Sequence, residues 1–438
     1  MKVVYVGDNR NRGNFGCRAT STALAQLIEQ NHEIVGTITG RYTNSDNGQL
    51  FFYQHLPKGI YKKLGGFRYW SDLKTGLYLF ARMIKRHHYY FSNFDFIDYD
   101  FEKSVKNLIN CIPANSGLKE MDLRQYDFDA LVVNGEGSFI FATPAWRECL
   151  VEAMLMWWAL KLGKKVYYLN GMFSDDPYTP HNNKTILAIE DIFRQCEIVQ
   201  VREMQSYEYA QKYFSHSKVT MKPDALFTWY DYINDGYKVT DGKYIIGPSG
   251  ATNESFHRYD FTKDYVCIAG SSSVGLVSKN IEEIVSAYVK LVEMVKKEIA
   301  IDVYLVEVCE GDKFLCEVAK RTGTKLIPID TPILSAAKIL SNARVFISGR
   351  YHPAILASMG GTPCVFMGSN SHKTKSLQEL LQYDFIYEYD VLPNQNQVEE
   401  MIQQAKKEIS EGDRLREHIK NRCYELRNTA MEIADLIK

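Results

Sequence analysis

The feature that most constrains this chain is the recurrence of short β-branched and aromatic runs separated by stretches of helical period. The first half carries "KVVYVG", "EIVGTIT", "ALVVNG", "KVYYLNG", "EIVQVRE" and "VTMKPD". A polar, Gly- and Asp-containing stretch, "WYDYINDGYKVTDGK", follows, and then "YIIGPS", "YVCIAGS", "VYLVEV", "KLIPI", "RVFISG" and "PCVFMG". Apolar runs alternating with amphipathic helices are the pattern of parallel sheets covered on both faces. Two such series predict two α/β domains with a cleft between them, over residues 1–235 and 242–395. Residues 396–438, charged and helical in period, are expected to pack back on the body.

A length of 438 residues accommodates two cores of ordinary size. The 52 Lys and Arg balance 53 Asp and Glu, so no general pull toward nucleic acid or an anionic membrane is expected, and any anion site must be local. The nine cysteines form no C-x-x-C pair and no zinc-finger spacing, which points to a reducing, cytoplasmic setting and to no metal. The start of the chain, "MKVVYVGDNRNRG", lacks the apolar core of a signal peptide. The strongest apolar segment, "CLVEAMLMWWALKLG", is interrupted by Glu152 and falls short of the roughly 20 apolar residues of a spanning helix, so it is read as a core helix.

One region breaks the alternation. Residues from about 50 to 118 are dense in Tyr, Phe, Lys and Arg and read as a largely helical insertion in the first domain. Basic residues interleaved with aromatics, here over 50–90, can dock at a membrane surface or grip a sugar acceptor. Aromatics packed on the domain with their basic neighbours solvated explain the same composition.

In an open α/β sheet, ligands bind beyond the carboxyl ends of the strands. Four strand ends qualify. In "GDNRNRGNFGCRATS" a strand ending near Val6 leads through Gly13 and Gly16 to a helix beginning near Cys17, where free N–H groups and Arg18 can hold an anion or a sugar oxygen. A structural tight turn explains that stretch equally well. In "NGEGSF", Asn134, Gly135 and Gly137 let a ligand approach the backbone, and Glu136 can act as a base or bind hydroxyls. In "VQVREMQS", Arg202 ends a strand and Ser206 opens a helix; a guanidinium there suits a carboxylate or phosphate, with a salt bridge to Glu203 or Asp224 as the rival reading. Asp224 itself follows a further strand and can orient a ligand group or a neighbouring Arg. The fourth is "ISGRYHPAILASMGG". A turn at Gly349 and a first-turn proline, Pro353, leave Arg350 and His352 at the junction of strand and helix. Burying that guanidinium requires an internal acid or a bound anion. The acidic triplets at Asp98–Asp100 and Asp127–Asp129 are read as surface acids, because the second precedes its strand.

Taken in order, these stretches resemble the polysaccharide pyruvyl transferase family: the glycine loop Gly13 to Ala19, the turn Gly135 to Ser138, "VRE" with Ser206, Pro223-Asp224, "SGRYHPAILASMGGTP" and "SHKTKSLQELLQYDF". The resemblance implies two Rossmann-like domains similar to GT-B glycosyltransferases. It further implies phosphoenolpyruvate as donor, no separate cofactor, and a sugar of a surface polysaccharide, capsule or cell-wall glycan, or its lipid-linked precursor, as acceptor. By the motif match Arg202, Arg350 and His352 form the donor set with Ser206 and Asp224, and Arg350 and His352 are the residues expected to carry the chemistry. Gly13, Gly16, Arg18, Asn134, Gly135, Glu136 and Gly137 fall to the acceptor side, in the first domain. The chain departs from the family pattern at Gly16-Cys17, where many members have Gly-Asp, and at Gly135-Glu136-Gly137, where many have three glycines.

Two other readings stay open. A GT-B glycosyltransferase would use the same cations on a nucleotide sugar, with Glu307 or Glu310 on the ribose. A non-catalytic glycan-binding protein would keep the fold alone. The expected location is cytoplasmic, with peripheral contact at the inner membrane face as an option for residues 50–90.

Overall fold

A computed structural model describes residues 1–40, 96–114, 116–236 and 259–438. Most of the aromatic and basic insertion and the run "YIIGPS" lie outside the described residues. Contacts group the chain into two compact units, one of Met1–Asn9, Leu24–Lys222 and Ile433–Lys438, the other of Arg10–Ala23 and Pro223–Glu432.

The first unit is built on a six-stranded parallel sheet. Its strands are β1 (Lys2–Asp8), β2 (Glu33–Thr39), β3 (Ala130–Asn134), β5 (Lys165–Gly171), β7 (Ile198–Val201) and β8 (Val219–Met221), in the order β2-β1-β3-β5-β7-β8. All five residues of β3 are buried, as its central place and continuous apolar run require. Two short strands, β4 (Phe139–Ile140) and β6 (Phe173–Ser174), pair beside it. Between strands run α2 (Phe101–Cys111), α3 (Arg147–Lys161), α4 (Asn183–Gln195) and α5 (Met204–Tyr213). Helix α3 is the strong apolar segment, and it is buried on nearly every face from Arg147 to Ala159, the property of a core helix. Among the described residues no helix is long and apolar enough to cross a membrane. The two acidic triplets have structural work. Asp100 caps α2 by accepting from the Lys103 N–H at 3.0 Å, and Asp98 pairs with Lys103. Asp127 pairs with Lys2, whose N–H donates to Asp129.

The second unit holds a five-stranded parallel sheet of β9 (Tyr265–Ser271), β10 (Asp302–Val306), β11 (Lys325–Ile327), β12 (Val345–Gly349) and β13 (Cys364–Phe366), ordered β11-β10-β9-β12-β13. Its helices are α6 (Val274–Val277), α7 (Ile281–Ile299), α8 (Leu315–Thr322), α9 (Ile333–Asn342), α10 (Tyr351–Met359), α11 (Lys373–Leu380) and α12 (Gln395–Met431). Helix α12 breaks at Gly412, at φ +56° and ψ −136°, and packs on α7 and α10. Both units are thus parallel α/β layers, as the alternation predicts.

Between β1 and β2 the chain forms α1 (Phe15–Glu29). Strand β1 runs two residues past the expected end at Val6, and α1 starts two residues before Cys17. The start is set by Asn14, whose side-chain oxygen accepts from the Cys17 N–H at 3.2 Å while its carbonyl accepts from the Arg18 N–H at 3.0 Å. A cap of that kind is placed three residues before the group it satisfies, which moves the helix start upstream.

Candidate functional site

Strand ends supply the candidate residues of the second unit. Strand β12 can end where it does because Gly349 has no side chain: a Cβ there would stand 2.5 Å from the Ser271 Cβ and 2.6 Å from the Gly368 carbonyl oxygen. Arg350 is the N-cap of α10, its N–H donating to the Ser348 hydroxyl at 3.0 Å. Its guanidinium Nη2 donates to Asp312 Oδ1 at 2.5 Å, and the Asp312 side chain is fully enclosed. Burial opposes the charge of Arg350, but the Asp312 carboxylate outweighs it and holds the pKa of the guanidinium above that of free arginine. Burial in turn pushes the Asp312 carboxyl up, with Arg350 pulling it back. Of the two partners that a buried guanidinium could have, an internal acid or an anion, the structure supplies the acid. The fixed pair still leaves donors of the planar fork for an incoming anion.

His352, in the first turn of α10, lies 3.2 Å through Nε2 from Asp224 Oδ2. The other oxygen of Asp224 accepts from the Thr20 hydroxyl at 2.7 Å and the Leu226 N–H at 2.9 Å, so the carboxylate is fixed from two further sides. The imidazole rests on the glycine loop: a Cβ at Gly16 would stand 2.6 Å from the His352 Cβ and 3.0 Å from Nδ1. The loop is anchored in the same unit. The Phe15 N–H donates to the Val308 carbonyl at 3.0 Å, Asn14 bridges Cys309, Gly13 lies against Ile329, and Arg18 Nη2 donates to the Ile329 carbonyl at 2.8 Å. Gly16 therefore packs on His352, and Gly13 and Arg18 pack on the Ile329 segment of the same unit.

In the first unit, Asn134, Gly135, Glu136 and Gly137 form the turn after β3. The Gly135 N–H donates to the Leu169 carbonyl at 2.8 Å and Ser138 closes the turn onto Gly135. Arg202 follows β7, is 1% exposed, and joins the end of β5 through an N–H to the Gly171 carbonyl at 3.0 Å. It lies close enough to the buried Tyr168 phenol to counter the burial that pushes that phenol well up. Glu203 caps α5, accepting from the Ser206 N–H at 2.9 Å and from the Ser206 hydroxyl. That hydroxyl also accepts from the Phe173 N–H at 2.8 Å. Ser206 is fully buried and spends its bonding on the fold around α5.

Sequence reasoning passed over Asp312 and Thr20, the first bonded to Arg350 and the second to Asp224. Asp312 follows β10, so the strand-end rule that found the other candidates reaches it as well. Of the two acids considered for a ribose, Glu307 is buried, which pushes its carboxyl up, and Glu310 pairs with Lys313. Among the described residues no group of three or more His, Cys, Asp or Glu is placed to hold a metal ion.

The polysaccharide pyruvyl transferase family model matches residues 14–372. A comparison with curated proteins finds no match. Among solved structures, the chain is similar to UDP-GlcNAc 2-epimerase from Neisseria meningitidis bound to UDP-GlcNAc, with a TM-score of 0.53 at 11% identity, over 100% of this chain and 99% of that one. It is similar to Arabidopsis thaliana UGT89C1 complexed with UDP-L-rhamnose, with a TM-score of 0.51 at 10% identity, over 99% and 98%. A UDP-N-acetylglucosamine 2-epimerase from Rickettsia bellii gives a TM-score of 0.50 at 12% identity, over 99% and 97%. At such identities the likeness shows the shared GT-B-like fold of two Rossmann-like domains.

Proposed function

The chain belongs to the polysaccharide pyruvyl transferase family, and from that premise we propose that it moves the pyruvyl group of phosphoenolpyruvate onto two hydroxyls of a sugar in a surface polysaccharide or its lipid-linked precursor, forming a ketal. The observation that carries the reading is the pairing of two cationic-type side chains at one strand end with fully buried carboxylates, Arg350 with Asp312 and His352 with Asp224.

Phosphoenolpyruvate carries a carboxylate and a phosphate, and its reaction develops positive charge at the central carbon. Arg350, aimed by Asp312, offers its remaining N–H groups to the donor carboxylate or phosphate. Arg202, by its motif position, is the first unit's candidate for the donor set. His352, oriented by Asp224, supplies a proton to the methylene carbon, which becomes the methyl group. One sugar oxygen bonds to the central carbon and gives up its proton. A second sugar oxygen then bonds to the same carbon, phosphate leaves with the electron pair of its C–O bond, and the second hydroxyl proton restores His352. The first hydroxyl proton leaves with phosphate as hydrogen phosphate, so charge and atoms balance. Asp224 acts through His352 in this scheme, as a positioning residue, while Ser206 serves the fold around α5.

Thermal stabilisation separates this reading from glycosyl transfer. Phosphoenolpyruvate is expected to raise the melting temperature of the protein through linkage, while UDP-GlcNAc and UDP-L-rhamnose leave it unchanged. Stabilisation by a nucleotide sugar and none by phosphoenolpyruvate would overturn the proposal in favour of the glycosyltransferase reading.

A further inference from the structure

Four neighbouring strands of the first unit end in a row of side-chain amides. Asn9 follows β1, Asn134 ends β3, Asn170 lies near the end of β5, and Gln200 lies in β7; all four are buried, and their strands are adjacent in the sheet. They are bonded in sequence. The side-chain oxygen of Gln200 accepts from the Asn170 N–H at 2.6 Å, and its NH2 is anchored on the Val201 and Lys222 carbonyls at 2.9 and 2.7 Å. Asn170 Nδ2 reaches Asn134 Oδ1 at 3.4 Å. Asn134 Nδ2 donates to the Gly7 carbonyl at 3.2 Å and to Glu136 Oε1 at 2.9 Å. Asn9 Nδ2 donates to the same Glu136 oxygen, also at 2.9 Å.

The row thus converges on one carboxylate oxygen. Glu136 is 7% exposed and sits at φ +32°, a left-handed backbone setting that a glutamate rarely adopts. Asn170 is left-handed as well, at φ +57°. Two donors on Oε1 hold the carboxylate in one orientation. Among the described residues Oε2 accepts no hydrogen bond, and it is not among the fully enclosed polar atoms. A strained acid, oriented by amides from two strands and with one oxygen left over, stands where α/β sheets bind ligands.

We propose that Glu136 is the catalytic residue on the acceptor side: Oε2 binds a hydroxyl of the acceptor sugar and takes its proton. Asn9 and Asn134 are its positioning residues. This rests on the transfer reaction given above. Glu136 then gives that proton up to solvent, which restores the carboxylate, and the released phosphate takes up the equivalent proton as hydrogen phosphate.

Glu136→Gln separates the roles, because a glutamine oxygen still accepts from Asn9 and Asn134 while its NH2 accepts no proton. Wild type and variant would be assayed with phosphoenolpyruvate and a panel of methyl hexosides and N-acetylhexosaminides, following phosphate release, with donor-induced thermal stabilisation measured alongside. The expected result is at least a hundredfold loss of kcat/KM, loss of the acidic limb of its pH profile, and unchanged stabilisation by donor. Asn134→Ala is expected to raise KM for the acceptor more than it lowers kcat. An E136Q enzyme with wild-type kcat, KM and pH profile would overturn the role of Glu136 and leave the transfer reaction standing. A wild-type enzyme that neither responds to phosphoenolpyruvate nor releases phosphate with any glycoside would instead overturn the transfer reading, and this inference with it.

Discussion

Arg350 and His352 stand two positions apart, yet each is held by a carboxylate from a different part of the chain: Asp312, 38 residues away, and Asp224, 128 residues away. That arrangement separates what each residue contributes. Asp224→Asn keeps an oxygen for the Thr20 hydroxyl and the Leu226 N–H but removes the charge that faces His352. The expected outcome is a ~10–100-fold fall in turnover with little change in melting temperature, read from initial rates of phosphate release and a thermal scan. Wild-type rates in that variant would show that the charge of Asp224 has no part in the reaction. Arg350 itself was legible from the sequence, because a guanidinium after a strand and before a first-turn proline has few bland explanations. Its partner was not, because "CEGDKF" contains two acids, and which of them faces β12 depends on the order of strands.

At the scale of elements, the fit between the glycine loop and α10 is the feature most open to test. Gly16 is the second residue of α1, and the His352 ring occupies the volume that any side chain there would need. Gly16→Ala is expected to push His352 away from Asp224, costing about 1–3 kcal/mol of stability and most of the activity. The melting temperature and the rate of phosphate release check it together. A variant with full activity would mean that the loop and His352 do not depend on each other. The same loop shows how far element-level reading reaches. Strand, glycine turn and helix were each readable from local pattern, with the Asn14 cap shifting the start by two residues. The loop was expected among the acceptor residues of the first domain. Its contacts instead run to Val308, Cys309, Ile329, Asp224 and His352.

At the scale of the whole molecule, the second unit carries a pH dependence of its own. Glu408, in α12, is 8% exposed; burial pushes its carboxyl up to about 7, with Glu411 adding to the rise and Gln404 and Lys407 opposing it. Gln404 donates to Oε1 at 2.8 Å, Oε2 is enclosed without a partner, and Cys364 and Tyr383 lie nearby. The folded state therefore binds this proton more tightly than the unfolded chain. Its contribution is fully present below the ordinary carboxylate pKa and is lost as pH rises through about 7, a swing on the order of 3 kcal/mol at most. Glu408→Gln is expected to match wild type near pH 5 and to exceed it in stability above pH 8. Denaturant midpoints at the two pH values test this, and an equal gap at both would rule it out.

The sequence by itself determined that the chain is a double series of parallel α/β layers. It also determined where most strands end and which residue types stand there, because hydrophobic period, glycine turns and proline placement act over a few neighbouring residues. It further displayed the family motifs, from the glycine loop to "SGRYHPAILASMGGTP". Only the tertiary structure decided the strand orders β2-β1-β3-β5-β7-β8 and β11-β10-β9-β12-β13. Those orders place Asp312 beside Arg350 and line up Asn9, Asn134, Asn170 and Gln200 behind Glu136, while packing within the second unit brings Asp224 to His352. A buried charge takes the partner that packing brings within about 3 Å, and no local pattern records which distant residue that is.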